Sequence, residues 1–147
     1  MATPPPADRP VPARLLAGIR LVNGAAGLLT PELLIRRFDP GREPPSAAAV
    51  YAFRLFGIRT VLLGLDLLGH GGDRLRADLL EGILIHGSDT VTAATLGVRG
   101  QVPPRTAVLT TLVSAVNTAL AVTAAVALRT PPPSTPAKRD RSRCGRC

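Results

Sequence analysis

The sequence predicts an all-α fold, a four-transmembrane-helix bundle with disordered Pro-rich N- and C-terminal tails. Three observations predict it. Thr106 to Leu128 runs 23 positions without charge, Gly or Pro and is closed by Arg105 and Arg129. Three further apolar stretches precede it, separated by Pro- and Gly-rich turns, and both ends of the chain are rich in Pro and lack apolar periodicity. A hydrocarbon core of ~30 Å needs about 20 apolar residues at ~1.5 Å rise each, so the uncharged run is long enough to cross.

Residues 1 to 13 form the expected disordered lead-in, and the membrane domain covers 14 to 129. Arg20 and Asn23 interrupt LLAGIRLVNGAAGLL, so this stretch fails as the apolar core of a signal peptide and is read as a retained first span over 15 to 34. FDPGREPPS then breaks the helix, since Pro lacks an amide donor and Gly adds backbone freedom. The second span, 47 to 69, has Ser46 as its N-cap and HGGD as its stop. The third covers 75 to 98, GQVPP separates it from the fourth at 106 to 128, and residues 130 to 147 are the basic tail.

Charge sets the orientation. Arg9, Arg14, Arg74, Arg76, Arg129, Lys138, Arg139, Arg141, Arg143 and Arg146 fall on one side of four spans, against Arg36, Arg37, Arg42, Arg99 and Arg105 on the other. Basic residues are retained on the cytoplasmic side, so both termini are expected there, in a multi-pass protein of the cell (inner) membrane. The net charge is +8, yet 17 of the 18 basic residues are Arg, as a GC-rich bacterial genome would give. With no Trp, one Tyr and three Phe, the chain lacks the stacking surface that nucleic-acid binding needs, and no nucleic acid partner is expected. The expected partners are the lipid bilayer and a second copy or another membrane protein. Small residues supply the packing: Thr110, Ser114 and Thr118, Thr111, Ala115, Ala119 and Thr123, and Gly18, Gly24, Gly27, Gly57 and Gly64.

Ionisable groups inside the spans carry the functional question. Arg20, Arg54 and Arg59 oppose Asp66, Glu81 and Asp89, an intramembrane charge network that nearly cancels. On the third span Asp78, Glu81, Gly82, His86 and Asp89 fall within an arc of roughly 140°, giving one polar face. Asp78 is expected at the interface beside Arg74 and Arg76. Span centres near Ile58 and His86 place Arg54 about 6 Å and Asp89 about 4.5 Å from the midplane on the same side, which predicts an Arg54–Asp89 pair. The same reckoning brings Arg59 towards Glu81, with Arg20 competing for that carboxylate.

Two functions fit this lattice. Charge pairs can fix which face of each helix turns inward, a structural or interaction role. Alternatively, a mid-membrane polar pocket serves an enzyme or carrier of a lipophilic small molecule, with Glu81, His86 and Asp89 as the candidate catalytic residues and Arg holding an anionic group. A cavity of roughly 300 Å³ or more separates the second from the first. His86 and Asp89 at i, i+3 lack the further ligands of a helical metal site, so no metal and no cofactor is expected. Cys144 and Cys147 form a CxxC with no second pair, and Gly145 and Arg146 exclude a prenylation signal.

RLLAGIRLVNGAAGLLTPELL, FGIRTVLLGLDLL with its Gly-x-Arg, and GSDT resemble a family of small four-helix bacterial integral membrane proteins known as a domain of unknown function. The resemblance covers Arg14 to Leu128 and departs at Thr60, where the family has an acidic residue. It implies the architecture and no activity or ligand.

Overall fold

The computed structural model describes residues 9 to 41 and 44 to 129, which form five α-helices and no strand. Helix α1 is Val11–Leu29, α2 Pro31–Phe38, α3 Ala47–Gly69, α4 Gly72–Val98 and α5 Pro104–Ala127. The expected tails at 1 to 8 and 130 to 147, with the Cys144–Cys147 motif, lie outside the described residues.

The first expected span needs two corrections. Its helix starts at Val11 rather than Leu15, because Pro12 falls in the first turn, where a missing amide leaves nothing unsatisfied. Part of the expected disordered lead-in is therefore helical, and Ala13 is buried. The helix also stops at Leu29 rather than running to Leu34. Pro31 disfavours helical backbone at Thr30, which sits at φ −131° and ψ 51°, and a separate short helix starts at the proline. In α2 Glu32 occupies the first turn and Arg36 and Arg37 the last, each sign matching the end of the helix dipole it adjoins.

Ser46 caps α3 as expected, its hydroxyl accepting from the Ala49 amide at 3.2 Å. The turn into α4 uses Gly72 at φ +57°, a conformation that costs a side-chain-bearing residue and so starts α4 three residues before Leu75. Gly100, at φ +65°, makes the corresponding turn before α5.

Helix α1 packs mainly on α3, and α4 mainly on α5; α3 and α4 barely touch. The first contact is made by glycine. A Cβ on Gly24 would lie 2.8 Å from the Gly57 carbonyl oxygen, and one on Gly57 would lie 2.7 Å from that of Gly24. No side chain fits between backbones this close, which is how small residues bring membrane helices together. Gly27 and Gly64 serve the same contact, whereas nothing lies near Gly18.

At one end of the bundle, where α1 begins and α5 finishes, Leu16, Ala17, Leu67, Leu79, Ala121 and Ala124 are fully buried in a dry core. Arg9 Nη2 donates to the His70 carbonyl at 3.3 Å, and His70 Nδ1 meets Asp78 Oδ2 at 2.6 Å, closing that end. Asp78, one turn after Arg74 on the same helix, pairs with His70, because the α3–α4 turn returns the imidazole onto the first turns of α4.

Two helices, α3 and α5, are long and apolar enough to cross a membrane; α1 and α4 are less apolar, α4 carrying Asp73, Arg74, Arg76, Asp78, Glu81 and Asp89. Only 17% and 22% of the apolar windows of α3 and α5 are buried within the protein. The core helix of a soluble domain would be mostly buried, so these outward faces, with Leu62 and Leu112 both more than half exposed, suit a lipid surrounding better than water.

Candidate functional site

Each long helix carries a polar residue near its middle: Arg20 on α1, Arg59 and Thr60 on α3, His86 on α4, and Asn117 on α5. Four of these, Arg20, Thr60, His86 and Asn117, are buried. They form a polar belt at the level where the dry core ends.

Arg20 is the belt's anchor and is fully buried. Its Nε–H donates to His86 Nε2 at 3.2 Å, and Nη1 donates to the Leu63 carbonyl at 3.3 Å. Gly64, whose Cβ would lie 3.2 Å from the Cβ of Arg20, lets the arginine stem pass α3. Nη2 finds no partner and lies against Gly82, where any Cβ would collide with it. No carboxylate makes an ion pair with this guanidinium among the described residues. Arg20 therefore neither competes for Glu81 nor faces a ligand cavity directly.

The tautomer of His86 follows from this contact. A guanidinium has only donors, so Nε2 must offer its lone pair and Nδ1 must carry the hydrogen. Nδ1 lies 3.9 Å from Asp89 Oδ2, too far for a hydrogen bond, and Arg59 Nη2 lies 3.7 Å from the same oxygen. Asp89 thus meets Arg59 and not Arg54, a correction to the sequence expectation. That expectation ranked partners by depth on adjacent antiparallel helices, yet α3 turns its small face to α1 and leaves a gap towards α4. Only a residue on the flank of α3 bordering the gap can reach Asp89; Arg59 lies there, and Arg54 is exposed.

The predicted face of α4 is also narrower than the arc suggested. Its buried line is Leu75, Leu79, Gly82 and His86, ending near half-buried Asp89. Glu81 is exposed and does not join His86 and Asp89, and Asp66 makes no ion pair among the described residues. Of the six residues of the expected network, the structure joins Arg59 to Asp89 and brings Arg20 to them through His86.

Beyond the belt, away from the dry core, the bundle is hollow. A chamber of about 360 Å³ lies among α1, α2, α3, α4 and α5. His86, Asp89 and Asn117 line its belt side, Asn23, Thr110 and Ser114 add polar atoms, and Phe38, Phe53 and Phe56 form an aromatic wall. Phe38 and Phe53 hold a tilted ring pair with centroids 6.1 Å apart. The Thr106 hydroxyl donates to the Phe38 carbonyl at 2.6 Å, tying the end of α2 to α5. Asn117 is 4% exposed, and its Oδ1 has no hydrogen-bond partner.

A second, larger space of about 1020 Å³ runs along the gap between α3 and the α4–α5 pair, lined largely by Leu, Ile, Ala and Thr with Arg59 and Asp89. Ala52, Phe56, Asp89, Thr110 and Ser114 line both spaces, so the chamber opens sideways into this groove. Among the described residues no group of three His, Cys, Asp or Glu could hold a metal ion.

Sequence reasoning offered a polar pocket at His86 and Asp89 as one of two alternatives, and it missed Asn117. The available signal was the one amide in the middle of the uncharged run, which a purely apolar reading of that run passes over. No family model, curated protein or solved structure matches the chain.

Proposed function

We propose that the protein is an integral membrane protein that holds a lipophilic small molecule in this chamber. The observation that carries the reading is a cavity of about 360 Å³, lined by Asp89, His86 and Asn117, a buried amide whose oxygen has no partner among the described residues, at the middle depth of the bundle. Buried polar atoms are normally satisfied, and an orphan on a residue that lines a space of ligand size supports an occupant there. A purely structural lattice would close around its charges. Here only one half of the bundle does so.

In this reading α1, α3, α4 and α5 all cross the bilayer. The two less apolar helices are tolerated because Arg20 and His86 turn inward and hydrogen-bond to one another. Cytoplasmic termini are supported by the basic residues of the connections, a bacterial inner membrane by the Arg-rich composition, and the resemblance to the four-helix family by its sequence motifs. Carbonate washing is expected to leave the protein in the membrane pellet. Reporters at either terminus should be cytoplasmic, and one inserted after Asp39 should lie outside.

Native mass spectrometry of protein taken directly into lipid nanodiscs tests the binding reading. Wild type should carry a small molecule of defined mass. Ala52→Trp should not, since Ala52 is exposed at the mouth shared by chamber and groove and a large ring there fills the opening without touching the polar belt. Wild type that is empty and takes up nothing from a lipid extract sinks it.

A further inference from the structure

Resting on that reading, we infer that the chamber selects an uncharged amphiphile with a hydroxyl headgroup, whose apolar tail leaves through the groove between α3 and α4. The choice follows from the hydrogen-bonding roles that are fixed and those that are free. Asp89 can only accept, and its contacts with Arg59 and His86, at 3.7 and 3.9 Å, are both too long to satisfy it. His86 can only donate from Nδ1, because Arg20 occupies Nε2. A group placed between them must accept from the imidazole and donate to the carboxylate. A hydroxyl does both with one oxygen.

The charged alternatives each lose a contact. An ammonium headgroup donates to Asp89 but presents hydrogens to the His86 Nδ1–H, with buried Arg20 behind it. A carboxylate or phosphate accepts from His86 but meets Asp89 with like charge, and among the described residues no Lys or Arg lines the chamber to compensate. Arg59 lines the groove and not the chamber, and its guanidinium is already opposed by the Asp89 carboxylate. The sequence expectation of an arginine holding an anionic group is thus replaced by an arginine that fixes the histidine. Asn117 can turn either end of its amide to the same headgroup and does not alter the choice.

The tail's route follows from continuity. Chamber and groove share Phe56, Asp89 and Thr110, and away from the Arg59–Asp89 pair the groove is lined largely by Leu55, Ile58, Leu62 and Leu96. Tail and headgroup of one molecule can therefore occupy both spaces without opening the helix pairs.

Three probes with one tail test this: dodecan-1-ol, dodecylamine and dodecanoate, titrated into nanodisc-embedded protein at mildly alkaline pH. Occupancy is read by native mass spectrometry and corrected by Ala52→Trp for partition into the disc. The alcohol should bind about tenfold more tightly than either ion, the effect of one good hydrogen bond to a charged group. His86→Phe keeps a ring in place and removes the donor, and it should erase the alcohol's advantage over the amine. Asp89→Leu should erase its advantage over dodecanoate. Thermal melting of both variants shows whether they remain folded. If dodecanoate or dodecylamine binds as well as the alcohol to folded wild type, the headgroup assignment is overturned while the chamber stands as a binding site. If none of the three binds above the Ala52→Trp background, the headgroup assignment falls, and the chamber falls with it only if wild type also takes up nothing from a lipid extract.

Discussion

The two halves of the bundle are built from the same helices and do opposite things. In the half where α1 begins and α5 finishes, Leu16, Leu67 and Leu79 interlock with alanines and no exposure remains; beyond Arg20, His86 and Asn117, the same helices surround the chamber. The difference lies in residue size and in α2. The closed half pairs leucine with alanine across the axis, so large side chains fill the space that small ones leave. In the open half the α1–α3 contact is made by glycine on both sides, which draws those two helices together and away from α4. Pro31 then turns the chain, so that Leu34 and Phe38 form a wall where a straight first helix would have continued past the cavity. Close packing is concentrated in one half and open space in the other, a division expected of a protein that accommodates a ligand.

The strongest way to break this comparison is to force α1 and α3 apart. In Gly57→Ala the new methyl would meet backbone atoms of α1, which cannot move aside as a side chain can. The expected loss is about 3 kcal/mol of stability against denaturant, the upper part of the usual overpacking range. Melting within a degree or two of wild type would show that the glycine contact does not set the helix pair.

The comparison itself is measured by truncations of similar chemistry. Leu79→Ala in the closed half should cost about 2 kcal/mol, chiefly from the cavity it leaves, because a membrane helix gains little from burying leucine away from lipid. Val113→Ala, which only enlarges an existing chamber, should cost less than about 0.5 kcal/mol. Equal losses from denaturant unfolding would mean that both halves are packed alike.

Much of the architecture was legible in the sequence, and the reasons are local. Ser46 as a cap, the HGG turn, Pro103 and Pro104 at the start of the last helix, and the uncharged run from Thr106 to Leu128 each specify an element from neighbours in the chain. Glycines at 24, 27, 57 and 64 were legible as contact points because membrane helices associate through small residues. Illegible was which face met which helix. Depth along an axis ranked Arg54 against Asp89, but rotation about the axis decided the pairing, and rotation depends on how tightly two other helices pack. The same reasoning hid His70–Asp78, which needed the turn geometry, and Arg20–His86, which joins helices 66 positions apart in sequence.

A smaller effect sharpens the picture of the belt. Gly82→Ala would push a methyl into the tip of Arg20, a side chain that can shift at its far end but is held by His86 and Leu63. About 1 kcal/mol of destabilisation is expected. In Arg20→Met the obstructing guanidinium is gone, so adding Gly82→Ala should cost almost nothing. Such non-additivity is the signature of direct contact. Additive losses would place Arg20 elsewhere.

The smallest expected effect concerns Arg59 and Asp89, and it separates a wet groove from a lipid-filled one. Their side chains are 53% and 42% exposed and 3.7 Å apart without a hydrogen bond. Water in the groove would screen such a pair, and half-exposed pairs contribute 0 to about 1 kcal/mol. A double-mutant cycle with Arg59→Gln and Asp89→Asn should therefore return a coupling below about 0.5 kcal/mol in detergent, where the groove is hydrated. In nanodiscs the same pair faces a medium of lower dielectric if acyl chains fill the groove, and Coulomb attraction rises as the dielectric falls. Coupling that grows severalfold on moving from detergent to nanodisc indicates acyl chains between α3 and α4, the condition a tail needs to leave the chamber sideways. Coupling that stays small and falls further with added salt indicates water there, and the lateral route would then be wrong even if the chamber binds its ligand.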